Sequence, residues 1–380
     1  MNEEQKNSGY QVTATELDST KSLAETIRPV LIVSEQTFFE YSLFLEHLLA
    51  GLVDGSIPAA LICPPDCDVD SFIYGPVEVF RYPLIRLSLA EPYNRGVLVE
   101  QLAKFRPTVL HCLCESKAGL TKQLAHQLDL PYIMTINSLQ NQWWRRLSIS
   151  RHCVKIVVPA KSIAADVAKF YPRFAERTEH INIGTFVEHD CVCFSQRSRL
   201  VSMVTIHPLD NISDFENLFN AVRHLVINGY EFMLMVIGQG RAEGQLRKLL
   251  TALDLLQIVT IVSRLKPWRS VLAAGDIYIQ PQSNTAFNPF LLEAMSVGSA
   301  VAACKGGVDD LIIEGKTAVV FNPNDEISIR GSLQGLLDRK EFARQIARNA
   351  QQNLRENHSV SKMISSILRV YHQAQKWLGV

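Results

Sequence analysis

From Arg28 onward, short uninterrupted apolar runs alternate with longer stretches of helical spacing, and the alternation occurs twice along the chain. Residues 29–33, 59–63, 77–80, 108–114, 132–136 and 154–158 read as buried strands, with helical patterns at 39–52, 120–128 and 162–170. Apolar runs without polar alternation belong to strands covered on both faces, which is how parallel sheets with crossover helices are built. The succession is therefore βαβ, and the fold class is α/β, doubly wound. A charged stretch without period, 188–198, separates it from a second series. There, strands are predicted at 200–206, 232–237, 259–262, 276–280, 301–304 and 318–321. Helices are predicted at 242–255, 290–296, 326–337, 341–357 and 359–378. A chain of 380 residues is about twice what one hydrophobic core supports. The expected organisation is a flexible or disordered tail at 1–27, a first Rossmann-like domain at 28–190 and a second at 191–358. A helix at 359–380 is expected to cross back to the first. Ligands of such sheets sit beyond the carboxyl ends of the strands, so a cleft between the two domains is the expected site.

Charge narrows the partners. Thirty-eight basic side chains balance 38 acidic ones, whereas a nucleic-acid binder needs a surplus of Lys and Arg on one face. With 47% of residues hydrophobic the chain is not a disordered one. No apolar run is long enough to span a membrane, and residues 1–21 lack the apolar core of a secretory signal, so a cytoplasmic protein is expected. There the eight cysteines stay reduced. Cys63 with Cys67, His111-Cys112-Leu113-Cys114 and His189 with Cys191 and Cys193 suggest a metal module. No CxxC pair occurs, however, and Cys112 and Cys114 lie in a buried-strand run. No metal or cofactor is expected.

Two segments carry chemistry. Gly238-Gln239-Gly240 follows a strand and lets backbone approach a ligand, but the third glycine of a dinucleotide fingerprint is missing, with Glu243 in its place. A tight strand-to-helix turn explains the pair equally well. Residues 282–301 read as a strand end, a loop Ser283–Pro289, and a helix carrying Glu293. A carboxylate there suits the vicinal hydroxyls of a ribose, and the helix start near Pro289 suits a phosphate. Glu293 could equally do no more than complement the helix dipole.

Four segments of the second half, in order, resemble the donor domain of retaining glycosyltransferases of family 4, which have the GT-B fold. They are 236–240, 272–281, 291–298 and 306–325. Weaker likeness runs through 107–114, 132–137, 154–165 and 180–187, so the resemblance covers about residues 28–378. It implies two Rossmann-like domains facing a cleft. It also implies transfer of a sugar, with retention, from a nucleotide diphosphosugar to a glycan or lipid-linked acceptor, as a hexosyltransferase does.

The family's tools are a His, an Arg, a Lys and two Glu eight positions apart. The resemblance puts Asn137 at the His position, Ile206 at the Arg, Asn211 at the Lys and Thr285 at the first Glu. Glu293 keeps the second, ribose-holding Glu. Asn137 and Thr285 are thus the candidates at altered catalytic positions. Gly238, Gly240, Arg264, Phe287, Asn288, Pro289, Phe290 and Glu293 are the candidates for donor binding. Losing one electrostatic donor costs about 10² to 10³ in rate, so the alternative is an inactive homologue that binds or stabilises a protein partner. Arg264, Lys266 and Lys305 could supply cations from new directions, or serve as solvated surface charge. Trp143-Trp144-Arg145-Arg146 suits peripheral contact with the inner face of a membrane, or core packing. Phe38, Phe39, Tyr41 and Phe44 follow the first strand, where the family carries an acceptor-side loop; core packing accounts for them as well.

Overall fold

The computed structural model describes residues 27–69, 75–83, 85, 90–140, 149–195, 200–263 and 268–376. The tail at 1–26, the Trp143–Arg146 motif, and Arg264 and Lys266 lie outside the described residues.

The first half forms seven strands: β1 (Pro29–Ile32), β2 (Ala59–Cys63), β3 (Val77–Arg81), β4 (Val109–Cys112), β5 (Tyr132–Thr135), β6 (Cys153–Val158) and β7 (Thr178–His180). They make one sheet in the order β3-β2-β1-β4-β5-β6-β7, parallel throughout. The second half repeats the plan with β8 (Val201–Ile206), β9 (Phe232–Ile237), β10 (Val259–Val262), β11 (Ile277–Gln280), β12 (Ala300–Ala303) and β13 (Val319–Val320). Their order is β10-β9-β8-β11-β12-β13, again all parallel. In each sheet the chain reverses its direction of growth beside the first strand, between β1 and β4 and between β8 and β11. Such a switch point leaves a crevice at the strands' carboxyl ends.

The helices are α1 (Glu35–Glu40), α2 (Ser42–Asp54), α3 (Glu91–Phe105), α4 (Ala118–Leu128), α5 (Lys161–Phe170), α6 (Ser213–Ile227), α7 (Glu243–Ala252), α8 (Trp268–Ala273), α9 (Pro289–Val297), α10 (Glu326–Asp338), α11 (Lys340–Asn357) and α12 (Val360–Gln375). The single helix read at 39–52 is two, broken at Tyr41. That ring turns inward, and its hydroxyl donates to the Phe287 carbonyl at 2.9 Å. The sequence reading assigns no helix to α3 or α6. In α3 the buried positions Asn94, Leu98, Leu102 and Phe105 form a narrow stripe while Tyr93, Val97 and Val99 lie off it, so its pattern is faint.

One core cluster lies on one face of each sheet. A third runs through both halves, from Val30 and Leu110 to Tyr278 and Leu291. Helix α12 leaves the second half and packs on α2, β4 and β6 of the first. Close approach is possible because α2 presents Gly51 to Ile364; a Cβ at Gly51 would lie 2.3 Å from the Ile364 Cδ1. Among the described residues no helix is long and apolar enough to cross a membrane.

Candidate functional site

Both switch points open on one cleft of about 700 Å³. The first half contributes Ser34 and the α1 residues Glu35, Gln36, Phe39 and Glu40, with Ser116 from beyond β4. Opposite stand Ile206, His207, Pro208 and Asp210 at and beyond the end of β8, then Ile237, Gly238 and Gln239 at and beyond the end of β9. Trp268 and residues 284–290 complete the wall.

The cleft's described lining includes three carboxylates, Glu35, Glu40 and Asp210, and neither Arg nor Lys. His207 adds no dependable cation. Burial lowers its pKa, against the pull of Asp214 and Asp210, and its Nε2 lies 3.7 Å from an Asp214 oxygen. Lys305 lies elsewhere, paired with Glu314 at 3.4 Å. Deep in the wall, Trp268 packs edge-on against Phe39 of the first half (4.8 Å between centroids) and Phe290 of the second (4.9 Å).

The residues singled out in the sequence separate into groups. Thr285 is exposed and lines the cleft, as do Gly238, Phe287, Asn288, Pro289 and Phe290. Asn137 does not. Its side chain turns inward and donates to the Leu113 carbonyl at 2.9 Å, and its backbone carbonyl accepts from Phe287 N at 2.9 Å. Gly240 is also outside the lining. A Cβ there would meet the Leu209 carbonyl at 2.3 Å, and one at Gly238 would meet the His207 carbonyl at 2.1 Å. These glycines let the β8 and β9 loops pack backbone to backbone, which accounts for both without a ligand. Arg264 is among the residues outside the description.

Glu293, the expected ribose ligand, lies outside the cleft lining and is 5% exposed. Its Oε2 takes a hydrogen bond from Arg269 Nη1 at 3.0 Å. Burial raises its pKa, opposed by Thr185, Arg269 and Ser296. Arg269 in turn holds Glu188 at 2.9 Å and bonds to the Phe186 carbonyl, so the pair ties α9 to the chain passing between the halves.

The helix start expected to hold a phosphate is capped from within. Asn288 Oδ1 accepts from Phe290 N and Leu291 N, each at 3.1 Å. Pro289 has no N–H, and Leu292 N already donates to the Asn288 carbonyl at 3.3 Å. The N–H groups of Phe290, Leu291 and Leu292 in the first turn are thus already engaged, and Pro289 has none.

Sequence reasoning missed two further fixtures. Glu115, half-buried and raised in pKa by desolvation, accepts from Asn137 N, Ser138 N and Ser138 Oγ at 2.9–3.0 Å. Ser138 then bridges to Ala286, and Leu139 N donates to the Thr285 carbonyl at 2.8 Å. The loop after β11 is thereby laced to the loop after β5. Nothing local marks Glu115 for this role, because its partners are 22 and 23 positions away. The cysteines are all free, seven of them buried and Cys191 half-buried. Among the described residues no three His, Cys, Asp or Glu side chains form a metal-holding group.

Two doubly wound parallel sheets sharing a cleft at their switch points make this a GT-B fold. Comparison with known proteins agrees. Residues 203–353 match the family model for glycosyl transferases group 1, which supports that family for this chain. The sulfoquinovosyl transferase of Arabidopsis thaliana is 24% identical over 330 residues, covering 78% of this chain and 62% of that protein. The alpha-D-kanosaminyltransferase of Streptomyces kanamyceticus is 25% identical over 161 residues, covering 42% of each. The chain thus spans less than two thirds of the length of either relative. Among solved structures, Anabaena HepE in complex with UDP and glucose superposes with a TM-score of 0.76. It is 15% identical and covers 91% of this chain and 100% of that one, a likeness of fold.

Proposed function

We propose that this protein is a non-transferring member of the glycosyltransferase group 1 family, acting in glycan synthesis by binding and stabilising a partner. The observation that carries this reading is the capping of α9 by Asn288. It occupies the N–H groups on which a donor diphosphate would rest. The acidic lining of the cleft works in the same direction. A diphosphate brought there would face Glu35, Glu40 and Asp210 across a described lining that includes neither Arg nor Lys. The carboxylate at the ribose-holding position is engaged with Arg269.

A second reading is transfer of a sugar, with retention, from a nucleotide diphosphosugar. Its support is the family match over 203–353 and the fold likeness to a protein solved with UDP and glucose. Calorimetry with uridine, guanosine and adenosine diphosphosugars, alongside an assay for nucleoside diphosphate release, decides between the two. The first reading expects neither heat nor release from folded protein. Saturable binding with turnover would overturn it and establish the second.

A further inference from the structure

Away from the cleft, a groove of about 610 Å³ runs between the interdomain linker and α11, and the two share no lining residue. Helix α11 buries Ala343, Ile346, Ala347, Ala350 and Leu354 against the second half. On its flank, Arg344, Arg348, Gln352 and Arg355 follow one another at helical spacing and line the groove together. The linker lies along this stripe and is clamped through its carbonyls. Arg344 Nε donates to Cys193 O at 3.3 Å, Arg355 Nη2 to Glu188 O at 2.6 Å, and Gln351 Nε2 to Glu188 O and Asp190 O at 3.1 and 3.3 Å.

The carbonyls that bond Arg344 and Arg355 are neutral and cancel no charge, and among the described residues only Arg344 of the groove's arginines also meets a carboxylate. The lining contains one carboxylate, Asp190; Glu341, outside it, pairs with Arg344, and the Glu188 side chain is engaged by Arg269. Arg348 is exposed between the two clamps, with no hydrogen-bond or ion-pair partner among the described residues. The half-buried Cys191 opens on the same space.

We propose that this groove is an anion-binding site for a ligand carrying two or more oxyanion groups, with Arg348 as its central contact. Guanidinium groups suit phosphate and carboxylate alike, through paired charge-assisted hydrogen bonds. The volume lies in the range of about 300–1,000 Å³ typical of small-molecule sites, well beyond the needs of one inorganic ion. Cys191 reports on the site. A hydrogen bond from Cys193 draws its thiol pKa down, and the Arg348 and Arg344 charges act in the same direction. A bound anion therefore shields the thiol and cancels the field that favours its thiolate.

The test is the rate of Cys191 alkylation by iodoacetamide at neutral pH, read by peptide mass spectrometry, with calorimetry in parallel. The probes are inorganic pyrophosphate and trigalacturonate, against sodium chloride of equal ionic strength. At least one probe is expected to slow alkylation saturably while sodium chloride does not. Pyrophosphate alone would mark a phosphorylated ligand, and trigalacturonate alone a carboxylated one. Arg348→Ala, which removes no bond of the fold, is expected to weaken that binding about tenfold, with Arg348→Lys in between. Absence of heat and protection with both probes, equal protection by sodium chloride, or unchanged binding in Arg348→Ala would overturn the proposal.

Discussion

Arg269 Nη1 lies 3.0 Å from the Glu293 carboxylate, joining α8 to α9 beneath the linker. With 6% of its side chain exposed, Glu293 without that partner would be a buried, uncompensated charge. Arg269→Ala is therefore expected to cost about 3 kcal/mol in urea unfolding. The pH dependence has a definite sign. Because the folded pKa of Glu293 is raised, its contribution is most favourable below the unfolded carboxylate pKa and is lost as pH rises through the folded value. Wild type should thus lose stability relative to Glu293→Gln as pH climbs out of the acid range.

Asn288 both caps α9 and occupies its anion-facing N–H groups. Asn288→Ala is expected to cost about 1 kcal/mol of stability. It also frees two N–H groups beside the cleft, so UDP should raise the melting temperature of Asn288→Ala and leave wild type unmoved. Equal shifts in both proteins would contradict the blocked-terminus reading.

Asp310 of the second half caps α5 of the first. Its Oδ1 accepts from Lys161 N at 2.7 Å and Ser162 N at 3.2 Å, while Ala160, at the N-cap position, offers no side-chain cap. Asp310→Ala should cost about 1–2 kcal/mol. Hydrogen exchange should rise at the start of α5 and not at its end. Asp310→Asn should recover part of the loss.

His111 is fully enclosed between the Tyr371 hydroxyl and Thr135 Oγ1, each at 2.8 Å. Burial lowers its pKa from 6.5 to about 3. A folded pKa depressed in this way means the unfolded chain binds the extra proton. Stability is held above about pH 6.5 and lost as pH falls toward 3, by up to about 1.4 kcal/mol per pH unit. Denaturant unfolding of His111→Gln between those limits should give a flatter profile than wild type.

The strands were the most legible part of the fold. β2, β9 and β10 coincide with their apolar runs: β2 is buried along its whole length, and the exposed Met233 of β9 and Thr260 of β10 are an apolar and a β-branched residue that leave the strand pattern readable. Helix α3 was not, because apolar Tyr93, Val97 and Val99 fall off its buried stripe and blur the helical period. Of the site, the loop 283–289 was legible from its place after a strand and before a helix. Trp268 was not, because its packing on Phe39 comes from the other half of the chain.

By itself the sequence determined the two α/β halves, their order, and the side-chain chemistry at four positions: Asn137, Ile206, Asn211 and Thr285. The halves follow from local periodicity and the four positions from the family resemblance together with residue identity, all properties of the chain read in order. Only the tertiary structure decided where the remaining polar groups spend their bonds. Asn137 turns to Leu113, 24 positions away, Glu293 is taken by Arg269, also 24 away, and Asp310 caps a helix begun 149 residues earlier. A buried donor, acceptor or charge must find a partner, and which group meets it depends on what the completed fold brings near.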